Sequence, residues 1–274
     1  MAVANQQRGG LTGPQRIVCL TEEPTEVLYG LGQQHRIVGI SGFTVRPAIA
    51  RREKPKVSAF TSAKIDAILA LEPDFAIGFS DIQADIAAEL VRRGVEVWIS
   101  NHRSVAGILD YIRRLGALVG EGARADAWAD ALARGLDAIA ARAPGAPRPR
   151  VYFEEWDEPR ISGIRWVSEL VAIAGGDDIF PERATQALAR GRILADDREI
   201  LERAPDIVIG SWCGKKFRAD RVAARAGWDA LPAVRMRELH EVKSPLILQP
   251  GPAALTDGVA ALAAIIDAWR TRHP

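Results

Sequence analysis

One twelve-residue pattern occurs twice in this chain. Ile68-Leu-Ala-Leu-Glu-Pro-Asp-Phe-Ala-Ile-Gly-Phe79 and Ile200-Leu-Glu-Arg-Ala-Pro-Asp-Ile-Val-Ile-Gly-Ser211 share a helix end, a Pro-Asp turn and an apolar run closed by glycine. Proline has no N–H to continue a helix, so the Pro-Asp pair marks a stop. The short apolar run that follows suits a strand buried on both faces. A second echo supports the first: Thr25-Glu-Val-Leu and Ser168-Glu-Leu-Val open the first helix of each half. Elements recurring in order predict two lobes of one topology.

The intervening sequence alternates in the same way. Strands are expected at Arg16–Leu20, Ile37–Ile40, Phe75–Phe79, Val95–Ile99 and Pro149–Phe153. Helices are expected at Thr25–Leu31, Ile65–Leu71, Ile82–Arg93 and Trp166–Ala174. Alternation of this kind predicts an α/β fold: two Rossmann-like lobes with parallel-type sheets covered by helices. Between the halves, Trp128, Leu132, Leu136 and Ile139 lie at helical spacing within Gly122–Arg142, which predicts one long amphipathic backbone helix linking the lobes. The expected division is a tail over 1–15, an N-terminal lobe over 16–121, the helix over 122–143 and a C-terminal lobe over 144–274.

Charge and composition narrow the function classes. Lys and Arg total 36 against 35 for Asp and Glu, so no global field draws the chain to nucleic acid or to an anionic membrane. No apolar stretch reaches the roughly 20 residues that span a bilayer. Cys19 and Cys213 each end an apolar run and are expected to be buried thiols; neither a disulfide framework nor a zinc site follows from two distant cysteines. Met1–Gln15 is polar and lacks the basic-then-apolar pattern of a secretory signal, so as a native start it implies a cytoplasmic location. Nucleophile-elbow, phosphate-loop and His-Glu-x-x-His patterns are absent, and Gly214-Lys215-Lys216 lacks the upstream glycine of a phosphate loop. A binding protein, not an enzyme, is expected.

In open parallel sheets ligands bind beyond the carboxyl ends of the strands. There the sequence offers Phe43, Phe79-Ser80-Asp81 and the His102 loop in the first half, with Phe60 in a further loop. The second half offers Glu154-Glu155-Trp156, the loop ending at Trp166, Trp212, and Glu238–Lys243 with His240. Any one of these aromatics is as well explained by packing under its loop. As a set they suit a large flat or apolar ligand. His102 and His240, each expected in a loop after a late strand, are candidates to ligate a metal inside such a ligand or to hydrogen-bond it. His35 and His273 are expected to be exposed. No cofactor or resident metal of the protein's own is expected.

The segment Arg16-Ile-Val-Cys-Leu-Thr-Glu-Glu-Pro-Thr-Glu-Val-Leu-Tyr-Gly-Leu-Gly32 resembles the opening of solute-binding proteins for vitamin B12, siderophores and haem in ABC importers. Leu71-Glu-Pro-Asp74, Ala204-Pro-Asp206 and Lys243-Ser-Pro-Leu-Ile247 resemble further elements of that family, and the resemblance spans Arg16 to Trp269. It implies two α/β lobes joined by a long helix, a corrinoid ligand in the cleft between them, and a periplasmic location. Iron-siderophore or haem binding, and a cytoplasmic carrier or sensor of the same fold, are the alternatives. Phe43, Phe60 and Phe79 fall where cobalamin binders place aromatics against the corrin ring, with Trp156 near another such position and Glu238 at a polar ring-side position. An acidic residue that docks the importer is matched by Asp66 in the first lobe. In the second lobe the matching position is Arg198, flanked by Asp197 and Glu199, and a ligand-contacting tryptophan is replaced near Arg192.

Overall fold

The computed structural model describes residues 13–142 and 145–273. The expectations for residues 1–12, 143–144 and 274 therefore lie outside the described residues. By internal contacts the chain divides into two compact units, one made of the residues up to Asn101 with Asp110–Ala129, the other of His102–Leu109 with Asp130 onward.

The first unit is built on strands β1 (Ile17–Cys19), β2 (Ile37–Ser41), β3 (Lys56–Ser58), β4 (Phe75–Phe79) and β5 (Glu96–Ser100), in the order β3-β2-β1-β4-β5. Every pairing is parallel. Helices α1 (Glu23–Gly30), α2 (Ile65–Leu69) and α3 (Ala84–Arg92) connect them. One face of the sheet packs Val18, Leu20, Val57, Ala76 and Val95 against Ile68, Ile86 and Leu90. The expected Ile82–Arg93 helix starts as a 3-10 turn at Asp81–Gln83, where the Ser80 hydroxyl accepts the N–H of Ile82 and the Gln83 side chain accepts that of Phe79.

The second unit holds β6 (Arg150–Asp157), β7 (Arg160–Ser162), β8 (Asp177–Asp178), β9 (Ile207–Gly210) and β10 (Leu239–Glu241). The order is β10-β9-β6-β7, with β8 also beside β6. β7 returns antiparallel from β6 and makes a further antiparallel bridge from Ile161 to Ile193, while the other strand pairings described in this sheet are parallel. Tyr152, Phe180, Trp212, Phe217 and Trp228 share its aromatic core.

Two helices contribute residues to both units: α4 (Val105–Leu118), which the sequence reading passed over, and α5 (Gly122–Ala140). α5 is continuous, with Ala125, Ala129, Leu132 and Leu136 buried, while Trp128 is half-buried. Helix α4 passes close to α5 at Gly116, where a Cβ would come within 2.1 Å of that of Ala125. Further helices of the second unit are α6 (Arg165–Ile173), α7 (Arg198–Arg203) and α8 (Val259–Arg272).

The Pro-Asp echo is a structural duplication. Asp74 accepts the backbone N–H groups of Gln15 and Arg16 at 2.7 and 2.9 Å, and Arg16 donates back to the carbonyls of Leu71 and Glu72. Asp206 accepts the N–H of Arg150 at 2.8 Å, and that arginine donates to the carbonyl of Arg203. Glu72 and Ala204, each just before the proline, share a left-handed backbone at φ 46° and 41°. Each latch fastens a helix end to the start of its unit's leading strand.

Candidate functional site

The carboxyl edge of the first sheet is held in shape by one side chain. Gln83 is fully buried and donates to the carbonyls of Leu20 and Phe60 at 3.2 and 3.3 Å, while its Oε1 accepts the N–H of Phe79 at 3.0 Å. It ties together the segments after β1, β3 and β4. Gly78 makes room for it, since a Cβ there would lie 2.3 Å from Oε1. Phe43 projects from a loop pinned by Arg51, which donates to the carbonyls of Gly42 and Thr44, and its side chain is 47% exposed. Val45, Ile49 and Ile82 are also exposed at segments following β2 and β4. Phe60 is half-buried; Phe79 and Ser80 are buried, and Asp81 is exposed beside the Ser80 hydroxyl.

The central strand ends in buried acid. Burial pushes the Glu23 carboxyl up to about 8 and that of Glu22 up to about 7. Thr21 donates to Glu23 at 2.7 Å, which offsets only part of the burial cost. Cys19, beneath them, is raised by burial to about 12 and is an inert core thiol.

In the second unit, successive side chains of β6 are each engaged. Glu154 is fully buried and accepts from both terminal nitrogens of Arg225 (2.7 and 2.9 Å), from Trp212 Nε1 (3.1 Å) and from the Tyr152 hydroxyl (3.1 Å). Glu155 is clamped by the buried Arg192, which also donates to the Ser162 carbonyl. Arg192, near which the resemblance would place a tryptophan, is thus a structural arginine. Trp156, half-buried, donates to the Glu158 carbonyl at 2.8 Å. Asp157 bonds Lys215 through both oxygens, at 2.8 and 2.6 Å. The Lys215 ammonium lies 5.3 Å from the Trp156 ring centroid and 5.2 Å from that of Trp212.

A model of the periplasmic binding protein family matches residues 17–246. The chain belongs to that family. It is 23% identical to the vitamin B12-binding protein of Vibrio parahaemolyticus serotype O3:K6 over 245 residues, 88% of this chain and 86% of the relative. Its fold is similar to that of the periplasmic vitamin B12-binding protein of Vibrio cholerae, with a TM-score of 0.72 and 21% identity over 94% of this chain and 98% of the other. It is likewise similar to the periplasmic haem-binding protein of Roseiflexus sp. RS-1, with a TM-score of 0.77 and 22% identity over 93% of this chain and 100% of the other.

Several sequence expectations are corrected in this periplasmic binding protein. His240 lies within β10, not in a loop after a strand, and Glu238 precedes that strand at its amino end. Trp212, which follows the parallel neighbour β9, sits at the opposite edge of the sheet. The Glu238 carboxylate is buried and accepts from Arg272 (2.9 and 2.8 Å) and His240 (2.8 Å). Although burial works the other way, bonds from His240 and Arg272 hold this carboxyl below its ordinary value. His273 is part of the same cluster, 3.5 Å from Glu238, and not a loose tail residue. Cys213 is exposed, because the chain turns outward straight after Trp212. Trp166 and Trp212 are core indoles: Trp166 is buried and donates to the Ile247 carbonyl, and Trp212 is 4% exposed against Phe217. His102 Nε2 is 2.7 Å from the Pro250 carbonyl, and Lys243 pairs with Glu241. Among the described residues, no group of three or more His, Cys, Asp or Glu is placed to hold a metal, and no helix is long and apolar enough to cross a membrane.

The sequence reading missed Gln83, Lys215 and Asp157. A buried glutamine after a strand has no distinctive pattern. Lys215 stands in the sequence only as part of Gly214-Lys215-Lys216, and its pairing with Asp157 joins residues 58 positions apart.

Proposed function

We propose that this protein is a corrinoid receptor that delivers its ligand to an ABC importer from the periplasm. The observation that carries this reading is the apolar carboxyl edge of the first sheet. Phe43 and Ile82 are exposed there, on loops anchored by Arg51 and Gln83, where large apolar groups meet water unless a ligand covers them. Trp156 offers an accessible indole on the corresponding edge of the second unit. A vitamin B12-binding relative matched over 88% of this chain supports the ligand class.

The test is a titration of purified protein with cyanocobalamin, followed by tryptophan quenching and by the visible corrin bands. Saturable one-to-one binding is expected. Binding of haemin or a ferric siderophore with no response to cyanocobalamin would overturn the corrinoid reading and leave the receptor reading standing. For the importer, Asp66 is almost fully exposed beside Arg93 and is suited to meet a basic partner. In the second unit Asp197 accepts from Trp228 and pairs with Arg160, and Glu199 pairs with Arg183. Arg198, 76% exposed, pairs there with the exposed Asp196 at 3.2 Å. Asp66→Arg is expected to abolish corrinoid uptake by cells while leaving corrinoid binding intact.

A further inference from the structure

We propose that the Lys215–Asp157 pair on the second unit reads a primary carboxamide at the edge of the ligand, and so selects ligands with amide peripheries over those with carboxylate peripheries. This rests on the corrinoid reading, since corrinoids carry peripheral carboxamides and haem carries carboxylates.

The geometry supplies both halves of an amide's complement. Lys215 Nζ gives two of its three N–H directions to Asp157 Oδ1 and Oδ2, at 2.8 and 2.6 Å. The third direction is available to a carbonyl oxygen. Each Asp157 oxygen accepts one bond from Lys215 and has a further lone pair for an amide N–H. A carboxamide presents an acceptor and a donor side by side, whereas a carboxylate presents two acceptors. A carboxylate would gain from Lys215 but face Asp157 across the same contact, and the pair has no net charge to attract it.

An exposed ion pair normally contributes little, because two long side chains must be held in place against solvent. Here the holding is built in. The ammonium is about equally distant from the Trp156 and Trp212 rings, at 5.3 and 5.2 Å, within the range at which an aromatic face attracts a cation. Trp212 is itself fixed by the buried Glu154, and Trp156 by the Glu158 carbonyl. Asp157 ends strand β6, and its side chain is only 18% exposed. Lys215 remains 42% exposed, so the pair is both positioned and reachable.

The experiment compares the affinity of the full chain for cyanocobalamin and for cobalamin monocarboxylates, in which one peripheral carboxamide is hydrolysed. At least one monocarboxylate is expected to bind the wild type about tenfold more weakly, the loss of one well-made hydrogen bond to a charged group. Asp157→Asn leaves an uncompensated ammonium and should bring that monocarboxylate level with cyanocobalamin or above it. Lys215→Met should lower cyanocobalamin affinity about tenfold and, because Asp157 is then uncompensated, widen the discrimination against that monocarboxylate. Asp157→Ser and Lys215→Gln serve as second variants, and thermal melts confirm that each is folded. Equal binding of all monocarboxylates by the wild type, or discrimination unchanged in the variants, would overturn this inference and leave the corrinoid reading intact. A wild type that binds no corrinoid would overturn both.

Discussion

At the scale of single residues, burial separates the aromatics that can serve a ligand from those that serve the core. Phe43 and Trp156 reach solvent, whereas Phe79 is 5% exposed and Trp212 belongs to the aromatic cluster of the second unit. Phe43→Ala is therefore expected to weaken cyanocobalamin binding at least tenfold with little change in melting temperature, whereas Trp156→Ala, whose ring also packs against the core of the second unit, should lower both affinity and melting temperature. Phe79→Ala and Trp212→Ala should each cost about 3–5 kcal/mol of stability, read by denaturant melts. The sequence placed all four aromatics near strand ends, because position along a strand is legible in the apolar pattern. Which side of the backbone each ring faces depends on neighbours distant in sequence, such as Glu154 and Phe217 around Trp212. The same applies to acids. Glu22 and Glu23 look like surface residues at a helix start, yet the end of the central strand buries them and raises their carboxyls to about 7 and 8. A raised carboxyl means that the folded state binds more protons than the unfolded state. Stability falls as pH rises from the ordinary carboxylate value of 4.5 through these raised values. The melting temperature should drop between about pH 5 and pH 8, and Glu23→Gln should flatten that slope; an unchanged slope would place the titration elsewhere.

At the scale of elements, the latches test the duplication directly. Each Pro-Asp carboxylate satisfies strand-start N–H groups and engages the arginine whose guanidinium caps the preceding turn. Asp74→Ala and Asp206→Ala should each destabilise by about 1–2 kcal/mol. Because they lie in different units and share no partner, the double variant should show the sum. A strongly non-additive double variant would mean that the two latches are coupled. The elements carrying this repeat were the most legible part of the fold, since a proline stop and a buried run are local signals. Helix α4, of fourteen residues, is the long element that the alternation of the sequence does not mark, since it follows β5 with no proline stop or repeat to set it apart. β10 is not legible as a strand, because its three residues, Leu239-His240-Glu241, carry a single aliphatic side chain and gain their strand character from pairing with β9. Read as a loop after a strand, the segment puts Glu238 and His240 at the wrong edge of the sheet.

At the scale of the whole molecule, each described sheet carries a hydrophobic core of its own, and helices α4 and α5 contribute residues to both units. A ligand that binds only the folded state stabilises whatever it contacts, by about 2.7 kcal/mol when present at 100 times its dissociation constant. Scanning calorimetry of the free protein resolves the units if they unfold separately, and the latch variants label the transitions, since Asp74→Ala lowers the first unit's and Asp206→Ala the second's. If residues of both units touch the corrinoid, saturating cyanocobalamin should raise both transitions or merge them into one. A ligand held by the Phe43 edge alone would move only the transition that Asp74→Ala lowers, and one held by the Trp156–Lys215 edge alone would move only the other. Either single shift would remove one edge from the proposed contact surface and show which unit carries recognition.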